Sequence, residues 1–527
     1  MIDLKRMATA LLIGLAILSG LPEMSSPSIT GQTPVTITIG TTDFPRSLDP
    51  ATAVDLPSVE VLNHLYTGLT RQRPGTLDFE LALAAEHRIS ADGLEHYFTI
   101  RSDAAFADGT PISAATFARS ITRVLNLGRE GADVIGRYVV SAAAEEGNVL
   151  TIRLQVPLPD IKPLLALPQF FPQHPAVYPD NSVLAVEDML TLIGNGPYRI
   201  DSFEPDTAIT LMPDPAYRGP APANDRVVLR RYAIPIDLRR ALESREVDIA
   251  WRALAEPDLA HLARDPALIR LDQPNLQTYY LLLNHTPMSI SGLDSFEDPA
   301  IRQAFALLVD REASASLGLR DAVLPLYTVL PPELKADNVP FPVRDPNQAD
   351  AILSEAGYRP RRRPISTALL IATDAYGDRM ASAAAEIRRA IESSEIIATV
   401  AINDSLTPTF IGAINRGEYL CAIIGWRPAF ASPIAYLIPL ARSDSPIPAG
   451  AGYSSATVDR MLLELGLTRD EQQHAELYNA IQQEILARVD LIPLWQGKDV
   501  IVYNEAITGI LLERNSWLRY DALSRQP

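Results

Sequence analysis

Apolar and polar positions alternate in two distinct periods along the chain. From Val35 to Gly40 the residues Val35, Thr36, Ile37, Thr38 and Ile39 are all β-branched and alternate apolar with polar, as a strand favours. Tyr97 to Arg101 and Leu150 to Val156 carry the same period of two. Between them Ser113 stands as an N-cap, and Phe117, Ile121, Val124 and Leu125 fall on one face of a helix. Asp298-Pro299 predicts a second helix start, with Ile301, Phe305, Leu308 and Val309 as its buried stripe. Asp345-Pro346 repeats that start, and Gly357 supplies the stop. Thr468 with Glu471 predicts a capping box ahead of Tyr478, Ile481, Ile485 and Val489. Strands and helices thus mix throughout, which predicts an α/β protein.

At 527 residues the chain exceeds one compact core and predicts several domains. Its net charge of −18 excludes a basic nucleic-acid-binding face as the main surface and a polybasic grip on anionic lipid. Lys5 and Arg6, the apolar run Met7 to Leu18, and Ser19-Gly20 predict an export signal over residues 1–24. Leu21 follows where a lipoprotein signal would place cysteine, so no lipid anchor is expected. The single cysteine, Cys421, lies in the strand-like run Tyr419 to Gly425 and is expected in a core.

The chain carries none of the usual signatures of site chemistry. Gly194-Asn195-Gly196 begins like a dinucleotide fingerprint, but Arg199 stands where a third glycine is needed. Gly497-Lys498 lacks the preceding glycine of a phosphate loop. The seven histidines show no helical zinc spacing, and His87 and His96 read as solvated groups flanking a strand. No nucleophile elbow occurs. Neither an enzyme nor a metal or cofactor protein is expected.

A series of short segments then carries a resemblance. Ser47-Leu48-Asp49-Pro50 and Tyr66-Thr67-Gly68-Leu69 come first. Tyr97-Phe98-Thr99-Ile100-Arg101 and Phe106-Ala107-Asp108-Gly109-Thr110-Pro111 follow. Gly194-Asn195-Gly196-Pro197-Tyr198 and Glu246-Val247-Asp248-Ile249 come next, then Ile301-Arg302-Gln303-Ala304 with Asp310-Arg311, and Ala349 to Tyr358. In this order, from about Val35 to about Asn504, they resemble the family 5 extracellular solute-binding proteins of ABC importers, which includes oligopeptide, dipeptide and nickel binders. By their own chemistry these pieces are turns and caps: Gly196-Pro197, for example, is a turn in which glycine permits unusual dihedrals.

The resemblance implies a type II (cluster C) periplasmic-binding-protein-like fold of two hinged lobes. Residues 35–73, 195–275 and 490–527 would form lobe one, 74–194 an appended subdomain, and 276–489 lobe two. It implies an extracytoplasmic, monomeric receptor that holds a peptide or other small solute between its lobes and presents it to a membrane permease. A ligand sensor or a peptide-holding chaperone is the alternative. In peptide-binding members a Gly-Trp-x-x-Asp stretch holds the ligand's amine; here it reads Gly425-Trp426-Arg427-Pro428-Ala429-Phe430. Ala429 occupies the place of the aspartate, and a buried ammonium without a counter-charge is costly. Peptide and non-peptide cargo therefore both stay open. Trp426, Arg427, Ala429 and Phe430 are the leading ligand-site candidates, with Asn284, Tyr453 and Phe44 as further cleft candidates.

Overall fold

The computed structural model describes residues 34–526 except 253, 288–291, 321, 335 and 337; the predicted export signal lies outside the described residues. Two long strands, Leu268–Leu283 and Leu491–Asn504, organise the compact unit Thr36–Pro527. They pair antiparallel with each other. On one flank Cys421–Trp426 joins Leu268–Leu283, and Ile365–Ile371 and Ile397–Asp404 continue the sheet in parallel. On the other flank Ile249–Trp251 joins Leu491–Asn504, then Thr36–Thr41 and Arg226–Arg231 run parallel to it. Ala208–Pro213 and Tyr198–Glu204 complete that edge. Two parallel patches are thus bridged by one antiparallel pair. The register of that pair slips between Pro274 and Thr278, opposite Lys498 and Gln496.

A separate four-stranded antiparallel sheet is built from Ala84–Ile89, Glu95–Ile100, Val149–Leu154 and Val139–Glu145. The helix Ala114–Leu127 covers it, and Phe117, Ile121 and Val124 are buried as their spacing predicts. Ser113 caps that helix reciprocally with Thr116, and Gly128 ends it in the left-handed region. Pro299–Leu308 and Pro346–Glu355 begin at the predicted Asp-Pro pairs, each aspartate accepting a first-turn N–H. The predicted capping box at Thr468 does not form. Asp470 caps Glu471–Arg488 by accepting from Gln472 and Gln473, while Thr468 ends the preceding helix Ala456–Leu467. Aspartate two residues closer to the first turn wins that competition.

The family-like segments act as joints. Glycine at 194 and 196 is required by close approach, since neither has a positive φ. A Cβ on Gly196 would lie 2.6 Å from the Leu65 carbonyl carbon, and the N–H groups of Asn195 and Gly196 both donate to Leu65 O. The dihedral reason expected for this turn is therefore replaced by a packing one. Arg302 donates to the carbonyls of Phe296, Glu297 and Arg488, and the buried Arg311 to that of Pro493. Cys421 is buried, its Sγ 3.3 Å from Ala368 O, and burial raises its thiol pKa. His87 and His96 differ from expectation: they stack, with Nε2 of one 2.9 Å from Nδ1 of the other, and His96 is fully buried.

Candidate functional site

The strand Cys421–Trp426 delivers Trp426 and the loop behind it to the edge of a cavity of about 490 Å³. Three walls close around this space. Residues 54–72 and 515–521 form one, 133–138 with 163–171 a second, and 426–439 the third. The walls are remote in sequence, and the sheet brings them together. Much of the lining is apolar: Val59, Phe171, Leu276, Trp426, Phe430 and Trp517 all contribute.

Trp426 is half-buried. Its indole N–H donates to Ala435 O at 3.1 Å, which fixes the ring and leaves it in the wall. Ala429 is exposed to the cavity and adds no charge there. Phe430 is buried and meets Tyr138 edge to face, with centroids 5.3 Å apart, across two of the walls.

Arg427 reaches from the third wall to the first. Its guanidinium donates to Ser516 Oγ at 3.0 Å and to Gln277 Oε1 at 2.5 Å. Ser516 holds a left-handed φ of 67° and is itself buried. Arg427 remains open to water, yet protein surrounds it on most sides, as befits a residue lining an open cleft. Desolvation there lowers its pKa, opposed by the charge of Asp499, and it stays a cation. Arg427 also borders a second cavity of about 550 Å³, toward Asp43, Arg252, Arg379 and Asp499.

The remaining candidates lie elsewhere. Asn284 is fully buried, and its amide donates to the carbonyls of Gly417 and Tyr419. Tyr453 is buried with its hydroxyl donating to Leu440 O at 2.7 Å. Phe44 is buried and lines neither cavity. These three side chains serve packing and main-chain satisfaction in this structure. Sequence reasoning missed Tyr138, Asn515, Trp517 and Arg519, which stand in the walls. Trp517 is one of only four tryptophans, and that rarity was the one signal available for it.

Among the described residues no group of His, Cys, Asp and Glu is arranged to hold a metal ion. No helix of the described residues is long and apolar enough to cross a membrane.

Relatives of known type share this architecture. The unliganded open form of the periplasmic murein tripeptide binding protein MppA superposes with a TM-score of 0.78 at 21% identity, covering 94% of this chain and 98% of that one. The probable D,D-dipeptide-binding periplasmic protein DdpA of Escherichia coli K12 is 24% identical over 90% of this chain and 91% of its own. The probable deoxycholate-binding periplasmic protein YgiS of the same organism is also 24% identical, over 86% of each chain. The fold is thus that of the two-lobed type II periplasmic binding proteins. Residues 78–446 match the model described as bacterial extracellular solute-binding proteins, family 5 middle, and the chain belongs to that family.

Proposed function

We propose that this chain is the substrate-binding receptor of an ABC importer, which captures a peptide or similar small solute between its two lobes and delivers it to a membrane permease. The observation that carries this reading is the three-walled cavity, large enough for a small solute and lined by aromatic and apolar groups with a few polar ones. As a member of a solute-binding family the chain is a binding protein and not an enzyme. Relatives named for dipeptides, murein peptides and oligopeptides support the peptide class, and one named for deoxycholate supports a non-peptide cargo.

In this reading residues 35–73, 195–275 and 490–527 form lobe one, 276–489 lobe two, and 74–194 the appended subdomain. The hinge lies where the two long strands lose register, between Pro274 and Thr278. Closure follows ligand only through contacts stronger in the closed form. Trp426, Arg427, Ala429 and Phe430 face the cargo. The receptor works outside the cytoplasm, after export by the segment 1–24.

The test is to denature the protein purified from its native compartment, identify released small molecules by mass spectrometry, and add them back in a thermal-unfolding assay. A true cargo at about a hundred times its Kd raises stability by about 2.7 kcal/mol. Delivery is tested by uptake into vesicles holding the cognate permease. Uptake that proceeds equally without this chain would reject the importer role.

A further inference from the structure

Arginines gather in the cleft of a chain that is acidic overall. The whole chain carries −18, yet the first cavity is lined by four arginines against two aspartates, Asp133 and Asp521. Two of these arginines are committed: Arg71 pairs with Glu80 and Arg519 with Glu513. Arg137 is exposed on the wall. Arg427 stands where the first cavity meets the second, and its two hydrogen-bond partners, Gln277 and Ser516, are both neutral.

The second cavity is lined by Arg252, Arg270, Arg379, Arg427 and Lys498 with Asp43, Glu256 and Asp499. Arg252 pairs with Glu60, and both Arg270 and Lys498 pair with Asp272, so Arg427 again stands out by its neutral hydrogen-bond partners. Asp499, which borders the second cavity together with Arg427, is one acid that could substitute for the carboxylate missing at Ala429. However, its Oδ1 already accepts from Asn275 at 2.8 Å, and burial raises its pKa, against the opposing effects of its hydrogen bonds and of the Arg427 and Arg252 charges. An ammonium placed beside it would also feel the two guanidinium charges, which repel it. An anion at the same point meets no such opposition from Arg427, whose remaining N–H donors form the planar fork that suits a carboxylate.

We propose that the cargo carries a carboxylate which docks on Arg427 at the junction of the two cavities, with an apolar body against Trp426, Phe171 and Trp517 and no need of a free amino group. The proposal rests on the solute-binding reading above and specifies its cargo class.

Titration calorimetry with five probes tests it: the dipeptide Ala-Phe, its N-acetyl form, its C-terminal amide, the doubly blocked form, and deoxycholate. The expected result is that N-acetylation is tolerated and amidation abolishes binding, or that deoxycholate alone binds. In either case Arg427→Gln weakens the surviving ligand roughly ten- to a hundredfold. Arg427→Lys, which keeps the charge without the fork, binds the same probes more weakly than the native protein but with the same preference. Should the Gln variant not fold, the Lys variant alone decides through that preference. Amidated Ala-Phe binding as well as Ala-Phe, or free-amine binding lost in Asp499→Asn and retained in Arg427→Gln, overturns the carboxylate anchor while leaving a solute receptor in place. Silence of all five probes, with no small molecule released from the native protein on denaturation, rejects the receptor reading and this proposal with it.

Discussion

Asp49 and Arg123 form a fully buried bidentate pair, with Nη1 2.9 Å from Oδ1 and Nη2 2.7 Å from Oδ2, and side chains 0% and 1% exposed. Asp49 belongs to the turn after the first strand, Arg123 to the helix that covers the four-stranded sheet. The carboxylate also accepts the N–H groups of Ala51 and Leu184, and the guanidinium donates to the carbonyls of Pro179 and Ser182. All these partners are internal, so the pair locks the small sheet to the large one.

Removing one member leaves the other charge buried and uncompensated. Arg123→Ala is therefore expected to cost about 3–5 kcal/mol, and Asp49→Ala a similar amount. The double substitution should cost clearly less than the sum, because no orphan charge is left. Urea unfolding of the four proteins checks this, and simple additivity would mean that the two charges do not depend on each other.

Acid should weaken the protein through His87 and His96. Burial lowers both pKa values, to about 4, and the two rings stack on each other and on Phe98. In the unfolded chain each titrates near its ordinary value of about 6.5. Between these limits the unfolded state binds protons that the folded state refuses, so stability is full above about 6.5 and falls as the pH drops toward 4. For His96 alone the loss is about 3 kcal/mol. His96→Phe should flatten the acid limb of a stability–pH curve measured with urea, and an unchanged slope would show that these rings do not govern it.

Legibility in the sequence followed locality. Asp298-Pro299 and Asp345-Pro346 announced their helices because cap, first-turn proline and apolar stripe all lie within a dozen residues. Thr468 misled because threonine and aspartate compete for the same orphan N–H groups two residues apart, and the stronger acceptor nearer the helix won. Trp426 and Arg427, which line the first cavity, stand out in the sequence because they sit in a motif-like stretch. Asn515 and Trp517 were not, since they enter the cleft only because Leu491–Asn504 returns the chain beside residues 54–72. Asn284 is a cleft candidate only through the family resemblance, and here its amide satisfies two main-chain carbonyls.

Close approach at Gly196 gives a second structural prediction. Its Cβ would lie 2.6 Å from main-chain atoms of Leu65 and Tyr66, and main chain yields less readily than a flexible side chain. Gly196→Ala should destabilise by about 1–3 kcal/mol, the usual cost of overpacking. Because Tyr66 and Thr67 border the first cavity, cargo affinity should fall as well. Thermal unfolding with and without cargo reads both effects, and a neutral substitution would mean the turn can move away freely.

Contact between Phe430 and Tyr138 offers a test of closure itself. Phe430 follows the strand that carries Trp426, and Tyr138 precedes the strand Val139–Glu145 of the small sheet, so their edge-to-face contact joins walls that the proposed hinge motion would separate. Aromatic pairs of this geometry contribute about 0.5–1.5 kcal/mol beyond the area they bury. If the pair forms only in the closed form, Phe430→Ala lowers apparent cargo affinity by roughly two- to tenfold, because a ligand must then supply the lost closing energy. Tyr138→Ala should give the same loss, and the double variant little more. Calorimetric affinities for the four proteins, with small-angle scattering of each in the absence of cargo, separate a closing contact from a direct cargo contact. A closing contact gives coupled losses and a more expanded variant. A direct contact gives additive losses at unchanged dimensions, and that outcome would place Phe430 against the ligand alone.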